Sequence, residues 1–216
     1  MKEDYAIWTI APNERARSAA GELAASMERA GLYKELHVWA RGPVAGASTH
    51  GLEDYDPAGG WYRLNFLPRV AKETKATYLL WLDPVTTFER HPGSVLAALH
   101  GAPLHLPLTF DLADAATAPA ELHGCPCREL ARWMQAAGIH NRAIYAASAN
   151  YFIVHREAIG TVTELAFDLA RPADAEGWRL PVEPLLAYAM QMLCGDPERH
   201  RVKTPGAECG IAPADA

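Results

Sequence analysis

Cysteine is scarce in this sequence. The 216 residues contain four, at Cys125, Cys127, Cys194 and Cys209, too few to staple a chain of this length. That excludes a disulfide-built scaffold and points to free thiols. Positive charge is also in deficit, with 20 Lys and Arg against 26 Asp and Glu and a formal net charge of -6. This balance argues against a broad electropositive surface for neutralising nucleic-acid phosphates. Long apolar runs are missing too, none approaching the roughly 18 to 20 residues that span a bilayer as a helix. The first residues carry Glu3 and Asp4 where an export signal needs basic side chains, and the apolar run behind them breaks at Ala11-Pro12-Asn13. These absences together lead to the expectation of a soluble cytoplasmic protein with no nucleic-acid partner and no membrane span.

What is present is apolar material for a core. Half of the residues (50%) are hydrophobic, enough to fill a single domain of this size. We expect one domain over residues 1–216, with a loop-rich tail from about residue 195 where Gly and Pro gather. Tyr5 to Ile10 is a run of aromatic and β-branched residues stopped by Ala11-Pro12-Asn13, the pattern of a buried strand ending in a turn. Behind it Ala16, Ala19, Ala20, Leu23, Met27 and Ala30 recur at helical spacing, with Asn13 as the cap and Gly31 as the stop. Leu36 to Ala40 is a second strand, so the chain opens with a strand-helix-strand unit and a parallel pair.

Residues 43–60 carry Gly and acidic side chains without periodicity and are expected to form a loop. Trp61, Leu64, Phe66, Leu67, Val70 and Ala71 predict an amphipathic helix that Pro68 should kink or split. Thr77 to Leu82 is the most apolar strand and ends abruptly at Asp83-Pro84. A short helix through Val95, Leu96 and Leu99 and a strand over Pro103 to Phe110 come next. Arg128 to Ala137 then predicts a helix stopped by Gly138. Ile144 to Val154 is strand material interrupted by Ser148-Ala149-Asn150. Helices are expected over Glu157 to Ala170 and over Pro184 to Cys194, the latter ended by Gly195.

In an open parallel sheet, ligands bind where the carboxyl ends of the strands meet helix N-termini. Three strand ends deliver Ala11, Pro12 and Asn13, then Arg41, and then Asp83 to one rim. Each has a purely structural reading: Asn13 as a helix cap, Arg41 as a solvated loop residue, Asp83 as a turn former before Pro84. The functional reading needs them to act together.

These strand ends, with Tyr78-Leu79-Leu80-Trp81-Leu82-Asp83 in the centre, resemble the nucleotide-diphospho-sugar transferases of A-type glycosyltransferase fold. Ser148-Ala149-Asn150-Tyr151-Phe152-Ile153-Val154 is similar to that family's acceptor-lining strand, and Pro181-Val182-Glu183-Pro184 to the acidic turn before its late helix. The resemblance spans about residues 5–195. It implies an α/β domain of three α/β/α layers around a mostly parallel sheet. It implies binding of a nucleoside diphosphate sugar and transfer of the sugar to an acceptor that the sequence does not identify. Asp83, Ala11, Pro12, Asn13, Arg41 and Arg63 would hold the nucleotide, Ser148, Asn150 and Tyr151 would line the acceptor pocket, and Glu183 and Asp83 would be catalytic. Glu183 would take the proton of the acceptor hydroxyl, although an acidic residue beside Pro184 also suits the field of a helix N-terminus. The sequence leaves room for a homo-oligomer.

In the family the central strand ends in an Asp-x-Asp pair, whose carboxylates bind manganese or magnesium to the donor phosphates. Here the segment is Asp83-Pro84-Val85, and the apolar branch of Val85 cannot ligate a metal. Cations for the leaving group must then come from side chains, with Arg41, Arg63, Arg69 and Lys72 as candidates. The same degeneration suits a second reading, a catalytically silent nucleotide-binding or interaction module of the same fold. A third reading is a zinc or thiol protein built on His123-Gly124-Cys125-Pro126-Cys127. One residue between the cysteines fits tetrahedral zinc poorly, and His155 and His200 add no metal-ligand spacing.

Overall fold

The computed structural model describes residues 4–53, 62–93, 102–114, 116, 118–122, 124–140, 143–147, 150–194 and the backbone of 211–213. Its first strand β1 (Tyr5–Ala11) leads through helix α1 (Glu14–Arg29) to β2 (Leu36–Ala40) and the short β3 (Ser48–Gly51). Helix α2 (Tyr62–Thr74) then returns the chain to β4 (Tyr78–Leu82), followed by β5 (Thr86–Phe88), β6 (Leu104–His105) and β7 (Leu108–Asp111). A small hairpin of β8 (Glu121–Leu122) and β9 (Cys125–Pro126) precedes α3 (Cys127–Ala136) and β10 (Tyr145–Ala147). Strand β11 (Tyr151–His155), a 3-10 turn at Arg156–Ala158, α4 (Ile159–Ala175), α5 (Val182–Cys194) and β12 (Ile211–Pro213) complete it.

Among the described residues, six strands form the central sheet in the order β3-β2-β1-β4-β11-β6. Strands β3, β2, β1 and β4 run parallel, and β11 is antiparallel to both β4 and β6. The fold is thus mixed α/β with a mostly parallel central sheet. The period of two along each strand sorts the side chains. Trp8, Ile10, Trp39, Leu79, Trp81, Phe152 and Val154 face one apolar cluster, which takes in α2, α3, α4 and α5. Ile7, Ala11, Val38, Leu80, Leu82 and Ile153 face the other, which α1 covers. Strands with both faces buried read as continuous apolar runs, which is how Tyr78–Leu82 reads in the sequence.

The helix ends follow the local chemistry. Asn13 caps α1, its side-chain oxygen accepting from the Ala16 N–H at 2.9 Å. Gly31, at φ 73°, closes α1 with the Gly31 N–H donating to Glu28 and the Leu32 N–H to Met27, a paired closure that satisfies two orphan carbonyls. Gly138 ends α3 in the same way, its N–H reaching Gln135 and that of Ile139 reaching Met134.

Several expectations are corrected. Pro68 neither splits nor ends α2, which runs unbroken from Tyr62 to Thr74. Pro68 lies on the exposed face while Leu64, Leu67, Val70 and Ala71 are buried. Apolar anchoring on one side outweighs the missing N–H on the other. Residues 43–60 are not all loop, since β3 pairs with β2. Its sequence, Ser-Thr-His-Gly, has no apolar signal because an edge strand is held by backbone hydrogen bonds. The strand expected over Pro103 to Phe110 is two, β6 joining β11 and β7 joining β10. Glu183 lies inside the first turn of α5, which starts at Val182, ahead of Pro184. In the tail, β12 pairs antiparallel with β5. The expected helix through Val95, Leu96 and Leu99, and Trp61, Ser148, Gly195 and Cys209, lie outside the described residues.

Candidate functional site

The carboxyl ends of β1, β2 and β4 lie on one rim, as the parallel registers Ala11 with Ala40 and Trp8 with Trp81 require. From β1 the chain builds outward to β2 and β3, and β4 then returns to the opposite flank of β1. The order therefore reverses between β1 and β4, the position at which an open α/β sheet leaves a crevice. Ala11-Pro12-Asn13 and Asp83-Pro84-Val85 leave the two strands at that crevice. Ala11 is buried, Pro12 half-buried and Asn13 exposed. On the α1 side, a cleft of about 410 Å³ opens between Arg15, Ser18 and Glu22 of α1 and residues 84–87.

Asp83 is fixed at this rim. Its N–H donates to the Asn150 carbonyl at 2.8 Å, and its own carbonyl accepts from the Thr86 N–H at 2.9 Å and the Thr86 hydroxyl at 2.7 Å. Oδ1 accepts from the Val85 N–H at 3.1 Å, an Asx turn that makes Asp83 a turn former as well as a strand-end carboxylate. Oδ2 lies 3.7 Å from Nη2 of Arg63. Arg63 belongs to the first turn of α2, and its Nη1 donates to Oε1 of Glu183 at 3.1 Å. The guanidinium also lies 5.0 Å from the centre of the Trp81 ring, within cation–π reach. With side chains 13%, 26% and 16% exposed, Arg63, Asp83 and Glu183 sit below the fully solvated surface, where screening by salt is weaker.

Three separated stretches of sequence thus meet in one charged group at the end of the central strand. Glu183 is held there by α5, whose buried Gln191 accepts from the Tyr145 N–H at 3.0 Å and donates to the Tyr145 carbonyl at 3.1 Å. The Tyr188 hydroxyl adds a bond to the Ala137 carbonyl at 2.6 Å. Neither residue signals this role in the sequence, where both are only positions on an apolar helix. The Trp81 ring beneath Arg63 is equally silent, one aromatic in a strand of core residues.

The other candidates are dispersed. Arg41 is exposed at the end of β2. Arg69 donates from Nη2 to the Gly51 carbonyl at 3.2 Å and so serves the end of β3. Lys72 is exposed near the far end of α2, nine residues and about 13 Å along the helix axis from Arg63. Asn150 meets Asp83 through its backbone carbonyl. Tyr151 is fully buried on the α1 face, its ring stacked 6.5 Å from that of His105.

The residues at the rim do not fit a divalent cation. Oδ1 of Asp83 accepts from the turn, Oδ2 faces Arg63, Val85 is apolar and 43% exposed, and a guanidinium already stands between the two carboxylates. No group of three potential metal ligands occurs among the described residues. Among the described residues the rim therefore offers manganese or magnesium no seat.

The thiols are a poor alternative centre. Cys125 and Cys127 are buried free cysteines, and burial, followed by the neighbouring Cys127, Glu129 and Glu121, pushes the Cys125 thiol up to about 11. Burial raises Cys127 as well. Both shifts disfavour the thiolate that metal binding and redox exchange require. A larger cavity of about 580 Å³ lies beside Cys127 and Arg128, but its walls include none of Arg63, Asp83 and Glu183. We place the candidate site where the charged groups converge. Among the described residues no helix is long and apolar enough to cross a membrane. No protein-family model and no curated protein matches this sequence.

Proposed function

We propose that the chain binds a nucleoside diphosphate sugar at the rim between β1 and β4 and transfers the sugar to an acceptor hydroxyl without a metal ion. The observation that carries this reading is Arg63, seated between Asp83 and Glu183 over Trp81 at the end of the central strand. A planar, permanently charged donor is suited to diphosphate oxygens. It supplies at the leaving group the positive charge for which the family that this sequence resembles uses a cation. The three-layer A-type architecture belongs to the same proposal. In its support stand helices on both faces of a mostly parallel sheet and the strand-order reversal beside Asp83.

In the reaction, the bond between the sugar anomeric carbon and the phosphate oxygen breaks, and its electron pair leaves on the diphosphate, whose charge Arg63 meets. The acceptor oxygen bonds to the anomeric carbon, and its proton passes to Glu183. Asp83 accepts from hydroxyls of the nucleotide or sugar.

A catalytically silent binding module is the second reading, favoured by the 3.1 Å bond that occupies Oε1 of Glu183. The test begins with a thermal-shift panel of UDP, GDP, CDP and ADP, with and without manganese. At about 100 times the dissociation constant, binding adds roughly 2.7 kcal/mol, or about 5 to 10 °C for a domain of this size. We expect one nucleotide to act, equally with and without manganese. Asp83→Ala should weaken it by about 1.5 to 3 kcal/mol, the range for a hydrogen bond to a charged group. Val85→Asp should introduce metal dependence. A panel without effect at millimolar concentration removes the nucleotide-sugar reading. Binding without any turnover of the matching nucleotide sugar favours the silent module.

A further inference from the structure

The glycosyl-transfer reading, on which this inference rests, gives Glu183 a task for which the arrangement observed withholds one of its two oxygens. A base must turn a carboxylate oxygen towards the acceptor hydroxyl, yet Oε1 of Glu183 accepts from Arg63 at 3.1 Å. Arg63 has a conflict of its own. Among the described residues, one guanidinium faces two carboxylates, an excess of negative charge that opposes an incoming diphosphate unless a carboxylate gives way.

The two carboxylates differ in their freedom to leave. Asp83 is held through its backbone N–H to Asn150, through its carbonyl to Thr86 and through Oδ1 to the Val85 N–H. Its short side chain cannot swing away without dismantling that turn. Glu183 has one more methylene and sits in the first turn of α5, where the helix N-terminus favours a negative charge released from its partner. A diphosphate, in turn, offers the guanidinium two oxygens in the fork geometry that suits it.

We propose that the Arg63–Glu183 pair is a resting-state lock that donor binding opens: the diphosphate takes Arg63, and Glu183 is released to act as the base. The exchange couples the two ends of the reaction. Oε1 of Glu183 becomes available to an acceptor only when the leaving group is in place. Once the donor is bound, the same guanidinium that held the base receives the charge of the departing diphosphate.

The lock predicts that the wild-type protein binds nucleotide against an internal competitor. The probe is the member of the UDP, GDP, CDP and ADP panel that raises the melting temperature most, titrated by calorimetry into wild type and Glu183→Gln. The isosteric amide keeps the shape but removes the competing charge, so the dissociation constant should fall by about threefold to tenfold, the range for one partly buried ion pair. Glu183→Asp keeps the charge but shortens the reach to Arg63, and should also bind more tightly, by less. A merely structural role for Glu183 moves affinity the other way or not at all. Unchanged or weaker binding in both folded variants overturns the lock and leaves the nucleotide-sugar reading standing. No binding by the wild type to any panel member overturns that reading, and the lock with it.

Discussion

Arg63 is the residue on which the candidate site turns, and its removal can be costed from the geometry. Arg63→Met keeps most of the aliphatic stem and deletes the charge. Among the contacts that go with it are the bond to Glu183 at 3.1 Å, the looser approach to Asp83 at 3.7 Å, and the contact with Trp81 at 5.0 Å. The charges are neither fully buried nor free in water, so the hydrogen-bonded pair is worth about 1 to 1.5 kcal/mol. The Asp83 approach adds about 0.5 kcal/mol and the ring contact about 0.5 to 1 kcal/mol. From these contacts alone the variant should lose about 2 to 3 kcal/mol, roughly 5 to 10 °C of melting temperature for a domain of this length. Urea unfolding of wild type, Arg63→Met, Glu183→Gln and the double variant separates the pair from its surroundings. We expect a coupling of about 1 kcal/mol between positions 63 and 183. A loss below about 0.5 kcal/mol with no coupling would mean that water already satisfies these charges, and that the cluster is not a unit.

Two further outcomes concern other parts of the molecule. The rings of His37 and His50 meet at 3.0 Å between β2 and β3, and burial, assisted by His50 and opposed by Glu35, holds His37 below its ordinary value of 6.5. The unfolded chain then binds the proton more readily, so stability contributed by neutral His37 should be lost as the pH falls below 6.5. His37→Gln should flatten that dependence in urea titrations at about pH 7.5 and about pH 5.5, and parallel losses in both proteins would refute the assignment. Cys125, with its thiol pushed up to about 11, should react with iodoacetamide roughly a hundredfold more slowly in the native than in the unfolded protein. Peptide mapping by mass spectrometry measures this directly, and equal rates would show that the thiol is neither buried nor raised.

Much of the architecture was legible in local patterns. The runs Tyr5–Ala11, Leu36–Ala40 and Tyr78–Leu82 announced themselves as strands because both of their faces are buried. Asn13, Gly31 and Gly138 marked helix ends because capping is decided within a few residues of chain. The polar edge strand Ser48–Gly51 was hidden because its side chains carry no apolar period. Pro68 misled because local propensity forbids what burial of Leu64, Leu67 and Val70 imposes.

The same division holds at the site. By itself the sequence determined that Asp83 ends the central strand, that Val85 denies it a second carboxylate, and that Glu183 lies near the start of a late helix. These are facts of neighbouring residues. Which cation answers Asp83 was decided only by the tertiary structure. Arg41, Arg63, Arg69 and Lys72 were all candidate cations in the sequence, with Arg41 and Arg63 assigned to the nucleotide, but α2 turns its first residues towards the rim and carries Lys72 about 13 Å further along its axis. Helix geometry and the return of α2 to β4 therefore selected Arg63. The 120 residues between Arg63 and Glu183 closed into a 3.1 Å contact because α5 packs against the same sheet face as α2. A contact of that span leaves no trace in any local pattern, since packing against a common core is what creates it.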